Sequence, residues 1–316
     1  KISIDGAMQF TSSGAPDALV DSTWASLINV DNGRFRLAGH NVENLYGQLT
    51  VNGQRKAAVT TNWGAVKFDY LMCKGVQLTK VVAPWHMNRD RFVFGADAPA
   101  ANSSQALHRL TAEVFGGFVE ADGVVSLRDK RYEFQLNNLV LKDFEAARVA
   151  RELKMPSRIS GLGEARLAQL RGSSEGLHTL RGSGSVRLRD ADLAKLPQII
   201  QLVNEMRLRN VRSDAFTSSD IEFRIDGPHL YFDQFDLHGE SLSLKGRGEI
   251  GFDRRIDLTF HTILGGEKGW LPYVRPFVGQ ASEQLLQIPV SGTLDDMKWD
   301  RRVLPGLNDW FPEQAR

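Results

Sequence analysis

Residues Ser219 to Ile263 limit what this chain can fold into more than any other stretch. Their apolar residues recur at every second position, in short runs separated by polar side chains. A period of two places the apolar side chains on one face of a β-strand and the polar ones on the other. Turn residues such as Gly227-Pro228 and Asp253-Arg254-Arg255 divide the stretch. It therefore predicts a meander of antiparallel strands with one apolar and one polar face.

The same pattern extends over most of the 316 residues, with turn signals at about ten-residue spacing. We expect a mainly β protein with a few short helices, built as an elongated, curled antiparallel sheet that forms an open groove. Two parts are predicted, residues 1–155 with repeated groove-forming strands and residues 156–316 with a second groove segment.

Helical spacing of apolar residues interrupts the strands at three places. A serine cap before Ala106 predicts a helix near residues 103–116, ended by Gly116-Gly117. A second helix is predicted near 143–154, and an amphipathic helix near 193–208 has its firmest part from Pro197 onward. The pattern of Asp17 to Leu27 leaves a short helix and an irregular loop open.

Charge and cysteine content exclude some classes of function. The chain has 39 Lys and Arg against 38 Asp and Glu, a formal net charge of +1, so no general attraction to nucleic acid follows. Cys73 is the single cysteine, which excludes an internal disulfide and fits the cytosol or a periplasmic protein without bridges. No apolar run approaches the roughly 18 residues of a membrane span, and any signal peptide or anchor is expected outside this segment.

Two glycine motifs resemble those of enzymes but lack the necessary context. Gly246 to Gly251 matches G-x-G-x-x-G, yet the period of two continues after it, where a dinucleotide site needs a helix. Gly172 to Gly176 matches G-x-S-x-G around Ser174, yet the residues after it are typical of strands. We interpret both motifs as features of strands and turns.

No set of residues predicts a catalytic or metal site. The seven histidines do not pair at the spacing of helical metal ligands, and a second cysteine is absent. Basic residues such as Arg224 and Lys245 occupy polar strand positions, where they solubilise the outer face and protect strand edges; a role in attracting anionic headgroups is a further hypothesis. We therefore expect a non-enzymatic protein without cofactor or metal.

From Gly182 onward the chain resembles the C-terminal region of the AsmA-like proteins of the bacterial envelope, relatives of TamB. The resemblance begins with Gly182-Ser-Gly-Ser-Val-Arg-Leu-Arg-Asp-Ala-Asp-Leu, a strand that enters a leucine-rich helix ending at Leu208. It continues with Phe216-Thr-Ser-Ser-Asp-Ile-Glu-Phe-Arg-Ile-Asp-Gly, Leu242-Ser-Leu-Lys-Gly-Arg-Gly-Glu-Ile-Gly-Phe-Asp and Ile256-Asp-Leu-Thr-Phe. About a quarter of the chain matches well, and the remainder matches in pattern.

The resemblance implies sheets curled into an open trough, a periplasmic location with an inner-membrane anchor, and movement of phospholipid across the periplasm. It implies no catalytic residues. We therefore predict carriage of phospholipid or another acyl lipid by a segment of a bridge-like transport protein, with possible partners in the envelope. The residues expected to face the acyl chains are Ile221, Phe223, Ile225, Leu242, Leu244, Ile250, Phe252, Ile256, Leu258 and Phe260.

Two alternatives remain from the sequence. The same sheet could close over its own core and serve as a structural or assembly module in outer-membrane biogenesis. A sugar-binding β-solenoid is the other alternative, although the regular coil-length repeats of such a fold are not visible in the sequence.

Overall fold

The computed structural model describes residues 2–11, 21–37, 40–56, 59–95, 109–128, 131–155, 159–193, 216–239, 242–264, 286–294, 296–299 and 302–303. The expected mainly β, antiparallel fold is confirmed. The described strands are β1 (Ile2–Thr11), β2 (Asp21–Leu37), β3 (His40–Lys56), β4 (Val59–Cys73), β5 (Val76–Asn88), β6 (Arg91–Phe94), β7 (Leu110–Val114), β8 (Gly117–Arg128), β9 (Arg131–Glu145), β10 (Leu162–Ser173), β11 (Arg181–Arg189), β12 (Ser218–Asp226), β13 (His229–His238), β14 (Leu242–Gly251), β15 (Arg255–Leu264), β16 (Leu286–Thr293), β17 (Met297–Trp299) and β18 (Arg302–Val303).

The chain divides into two compact units. Unit 1 comprises Lys1–Phe144, Arg151–Leu153 and Arg166–Thr179, and unit 2 comprises Glu145–Ala150, Lys154–Ala165 and Leu180–Arg316. The sequence predicted one boundary at residue 155, whereas the chain changes unit several times between residues 144 and 180.

Unit 1 is a meander in which β1 to β5 pair antiparallel in chain order. Two short strands then share the next position, because β6 pairs with the last residues of β5 and β7 with its first residues. Strand β8 pairs with both of them and then with β9. The sheet thus has one strand position filled by two separate stretches of chain.

Bulges interrupt the long strands of unit 1 at neighbouring positions. Asn32, Asn44, Lys80 and Asn138 lie at register shifts of β2, β3, β5 and β9, and their φ angles are 52°, 54°, 50° and 50°. Each bulge adds local twist and bends its strand.

Unit 2 contains a second meander, in which β11 to β16 pair antiparallel in chain order. Strands β17 and β18 both pair with β16, at its two ends. The expected alternation of apolar and polar residues between Ser219 and Ile263 is therefore realised in four consecutive strands, β12 to β15.

The helix predicted near 143–154 is present in a shorter form, α1 (Ala146–Glu152). Strand β9 continues through Glu145, so Phe144 is a strand residue and Asp143, with φ at 52°, is no helix cap. The predicted helix near 193–208 lies outside the described residues from position 194 onward. At Asp17 to Leu27, residues 21–27 belong to β2, and the earlier ones are outside the described ranges.

The prediction of a helix near 103–116 is wrong over its described part, where Leu110–Val114 form β7. Leu110 and Val114 are four residues apart, and this spacing places two side chains on the same face of either a helix or a strand. Phe115 and Gly116, with φ at 53° and 81°, form the two-residue turn of a β7–β8 hairpin. A left-handed conformation at both central residues is typical of a type I′ turn, which explains the glycine that we had interpreted as a helix stop.

Glycines let aromatic rings lie flat on the sheet of unit 1. A Cβ atom added to Gly53 of β3 would lie 2.2 Å from the Trp24 ring of β2, its cross-strand partner. A Cβ on Gly123 of β8 would lie 2.4 Å from the Phe94 ring of β6. Each ring therefore occupies the space of the missing side chain on the neighbouring strand.

This contact gives a prediction for Gly53→Ala. The substitution should destabilise unit 1 by about 1–3 kcal/mol, because the Trp24 ring must leave its place. In a Trp24→Ala background the same substitution should be neutral or stabilising by about 0.5–1 kcal/mol, since alanine restricts the unfolded backbone. Denaturant unfolding of the four proteins measures the cycle, and an equal cost in both backgrounds would contradict the contact.

Candidate functional site

The register of unit 2 separates one apolar from one polar face. Residues opposite each other in paired strands share a face, so Val186, Ile221 and Phe235 lie in one row. A parallel row holds Phe223, Phe232 and Leu258 with the intervening Gly184 and Gly248. The apolar face therefore continues without interruption over β11 to β16.

One part of this apolar face is a filled core. Its buried members are Ala191, Leu193, Phe216, Leu237, Leu244, Ile256, Leu258, Phe260, Ile288 and Val290. Phe216 and Leu193 come from the segments flanking residues 194–215, and the Leu193 N–H donates to the Phe216 carbonyl at 3.2 Å. Leu244 and Phe216 are fully buried, with 0% of their surface exposed. These side chains expose at most a few per cent of their surface, as in a closed protein interior.

The other part of the face, over β12 and β13, is partly exposed. Ile221, Phe223 and Ile225 of β12 are half-buried, and so are Leu230 and Phe232 of β13. None of these side chains is as deeply buried as the core on β14 to β16. The apolar surface that unit 2 offers to a ligand is therefore smaller than the pattern predicted.

The structure distributes the ten predicted groove residues between these regions. Leu244, Ile256, Leu258 and Phe260 belong to the buried core, whereas Ile221, Phe223, Ile225 and Ile250 are half-buried on the same face. Leu242 begins β14 and pairs with Leu264. Phe252, predicted to continue the row of Ile250, lies in the turn after β14 and is 44% exposed.

Sequence reasoning missed the contribution of β13. Register shifts at Glu222/Phe223 and Phe232/Phe235 place both Phe232 and Phe235 on the apolar face, although they are three residues apart. Their rings stack with centroids 5.4 Å apart, and Phe235 lies 5.5 Å from Phe260. A strict period of two cannot identify such a pair, because the bulge changes the alternation.

The polar face of unit 2 is satisfied by its own ion pairs. Arg224 donates two hydrogen bonds to Asp233, of 2.6 and 2.8 Å, and these bonds hold the pKa of Asp233 below its usual value. Arg187 pairs with Asp220 at 3.0 Å, and Arg181 with Asp226 at 2.9 Å. These pairs are exposed and screened by solvent, so they solubilise the face more than they stabilise it.

A shallow depression of about 470 Å³ lies on the polar side of unit 2. Its lining includes Arg224, Arg247, Glu249 and Asp257, so an acyl chain entering it would lose favourable hydration of these charged groups. Burial, with a smaller effect of Arg247, lowers the pKa of the neighbouring His261. The depression is thus mainly a charged surface feature, although Phe232 and Gly248 also line it.

Unit 1 carries a second apolar face that sequence reasoning did not single out. Four consecutive register rows across β1 to β5 contain no charged residue, and two of them extend through β6 and β8 to β9. The large apolar residues in these rows are Ile2, Ile4, Met8, Trp24, Ile28, Val30, Leu49, Val51, Val66, Phe68, Val81, Trp85, Met87, Phe92, Phe94, Val125, Phe134 and Leu136.

Most described side chains of this face in unit 1 are half-buried, and those of β1 are exposed. Among the described residues of the four rows, the buried apolar side chains are those of Val81, Ala83 and Trp85. Ile28, Leu49 and their neighbours are half-buried, and on β1 the exposed fractions of Ile2, Ile4 and Met8 are 63%, 66% and 58%. The alternation in β4 was visible in the sequence, but the pairing that joins the strands into one face was not.

No metal or membrane-spanning element is found in the part of the chain that the structure describes. Clusters of three or more His, Cys, Asp or Glu side chains that could hold an ion do not occur among these residues. No helix within the same ranges is long and apolar enough to cross a bilayer. The described side chains offer apolar contact and hydrogen-bonded ion pairs.

Comparisons with protein-family models, with curated proteins and with solved structures return no match.

Proposed function

We propose that the protein carries acyl lipids on its apolar sheet faces, without chemical conversion. The observation that carries the proposal is the charge-free apolar face of unit 1, whose Ile4 and Met8 are more than half exposed. Contiguous exposed apolar surface on a protein marks a site of interaction with a ligand, partner or membrane. A face of aliphatic and flat aromatic side chains fits the alkyl chain of a lipid, which needs no polar partner.

The energetics favour such a ligand. Each methylene transferred from water to an apolar site contributes about 0.8 kcal/mol, so an acyl chain gains many times that amount along an apolar row. Charged side chains lie on the opposite face. Asp5 follows Ile4 in β1 and Lys67 follows Val66 in β4, so each charged residue points away from the apolar face. A lipid chain on the apolar face would therefore meet no carboxylate or ammonium group.

From the resemblance to AsmA-like proteins, we further propose that this function belongs to the bacterial envelope. On this proposal the protein is a periplasmic segment of a phospholipid-carrying bridge, attached to the inner membrane by a part outside this chain. A mainly β fold with a charge-free apolar face that is exposed at β1 is compatible with that assignment.

A structural or assembly module is the second candidate, and the core of unit 2 favours it. Leu244, Phe260 and Val290 belong to one buried cluster with Leu193 and Phe216, as in an ordinary closed protein interior. Such a core needs no ligand to stabilise it. If both units behaved in this way in solution, the protein would act as a scaffold in envelope assembly.

Lipid extraction tests the proposal. The purified full chain should release acyl lipids in amounts comparable with the protein when an organic extract is analysed by mass spectrometry. After delipidation it should also take up a fluorescent fatty acid, with a blue shift of the probe's emission. A purified protein that contains no lipid and does not bind the probe would leave the scaffold as the remaining function.

A further inference from the structure

Three hairpins and one turn of unit 1 lie side by side at the same edge of its sheet. The β3–β4 hairpin neighbours the β5–β6 hairpin through the pair Thr61 and Asn88. The Leu127 N–H donates to the Asp90 carbonyl, which joins the β5–β6 and β8–β9 hairpins. The turn after β10 follows, since the Ser174 N–H donates to the Tyr132 carbonyl at 2.9 Å. We name this set, residues 55–56, 59–60, 88–91, 127–128, 131–132 and 173–177, the hairpin edge.

The hairpin edge carries exposed cations. Arg55, Lys56, Arg89 and Arg91 are exposed, and none of them forms an ion pair with another described residue. Arg131 is held by Glu175, with a nitrogen–oxygen distance of 2.6 Å. Four guanidinium or ammonium groups are therefore available to an anionic partner along one line of hairpins.

Exposed apolar side chains accompany these cations. Val59, Leu127, Tyr132 and Leu177 belong to the same turns and strand ends, and 41%, 45%, 40% and 54% of their surfaces are exposed. Each is large enough to enter the boundary between headgroups and acyl chains. Side chains of this kind beside Lys and Arg are typical of protein surfaces that contact a membrane interface.

The opposite edge of unit 1 differs in its charge pairing. Arg36 and Lys74 are exposed there, whereas Lys80 binds Glu113 at 2.8 Å and Arg34 lies 3.7 Å from Glu43. Hydrogen bonding to Lys80 also lowers the pKa of Glu113, which keeps that carboxylate charged. Lys80 and Arg34 of the opposite edge thus have carboxylate partners, whereas Arg55, Lys56, Arg89 and Arg91 of the hairpin edge form no ion pair with a described residue.

We propose that the hairpin edge binds the surface of a bilayer that contains anionic lipids. The cations interact with the headgroup phosphates, while Val59, Leu127, Tyr132 and Leu177 enter the interfacial layer. A nucleic acid would use the same cations but would leave the aliphatic side chains in water. The cations lie at turns and strand ends, whereas Leu127 and Tyr132 form the next register row after Val125 and Phe134 of the apolar face.

Vesicle binding by the full chain tests the proposal. The protein should sediment with phosphatidylglycerol-containing vesicles, less so as salt is raised, and weakly with phosphatidylcholine alone. Each cation near an anionic surface strengthens binding about fivefold, so Arg55→Gln with Arg91→Gln should weaken it about 25-fold. The matched control, Arg36→Gln with Lys74→Gln at the opposite edge, should bind as the wild type does.

A local probe distinguishes this edge from general adsorption. With Cys73→Ser as background, an environment-sensitive dye on Leu177→Cys should shift to the blue on anionic vesicles, and one on Lys74→Cys should not. Three results would overturn the proposal. They are equal effects of the two double Gln variants, a blue shift at both dye positions, and tighter binding to an oligonucleotide than to vesicles. Vesicle binding by a wild-type protein that contains no lipid and does not take up the fluorescent fatty acid would support the edge while rejecting the proposed function.

Discussion

Replacement of Leu244 by aspartate is expected to unfold unit 2. The leucine side chain is fully buried among Leu237, Phe260 and other core residues. Its loss removes apolar burial and places a carboxylate where no partner exists, at a combined cost of about 4 kcal/mol or more. Since whole domains have stabilities of about 5–15 kcal/mol, such a cost leaves unit 2 marginal or unfolded.

Hydrogen exchange measured by mass spectrometry can locate this effect. Peptides from β12 to β16 should lose protection in Leu244→Asp, while those from β2 to β5 of unit 1 should keep theirs. The control is Ser243→Asp, one position earlier on the polar face and opposite His238, which should exchange as the wild type does. A folded Leu244→Asp protein that has lost only lipid would show that this region is a groove instead of a core.

Replacement of Ile4 and Met8 by aspartate is expected to abolish most lipid binding without unfolding the protein. Both side chains are more than half exposed, so the double variant should lose no more than about 1 kcal/mol of stability. Two carboxylates on the apolar face would have to lose hydration beneath an acyl chain, and affinity for a fluorescent fatty acid should fall at least about tenfold.

The opposite face of the same strand provides the control. Ser3→Asp with Ala7→Asp adds the same two charges at exposed positions that alternate with Ile4 and Met8. This variant should keep the wild-type affinity, as measured by titration of the probe after delipidation. Equal loss in both variants would indicate a general effect of charge, and no loss in either would remove β1 from the lipid-binding face.

Alternation alone predicted much of the architecture. Ile221, Phe223 and Ile225 were expected on one face of a strand, and β12 places them there beside the half-buried residues of β13. The turns at Gly227-Pro228 and after Gly251 also lie where the pattern predicted them. A period of two is a local property, so a single sequence contains enough information to identify it.

Properties set by distant strands could not be predicted in this way. Leu244 and Ile221 have the same alternation in sequence, yet the first is buried beneath Leu193 and Phe216 and the second is partly exposed. Leu110 and Val114 have a spacing that fits a helix, but pairing with β5 and β8 makes them a strand. Burial and strand identity here depend on partners that are remote in the chain.

The shared position of β6 and β7 has a practical consequence for protein engineering. Every described hydrogen-bonded pairing of β6 and β7 is made with β5 on one side or β8 on the other. None of these described pairings requires the segment that connects Phe94 to Leu110. A reporter domain or an affinity tag introduced between them would therefore leave the ladder intact. Breaking the chain at the same point would give two fragments whose edges are complementary.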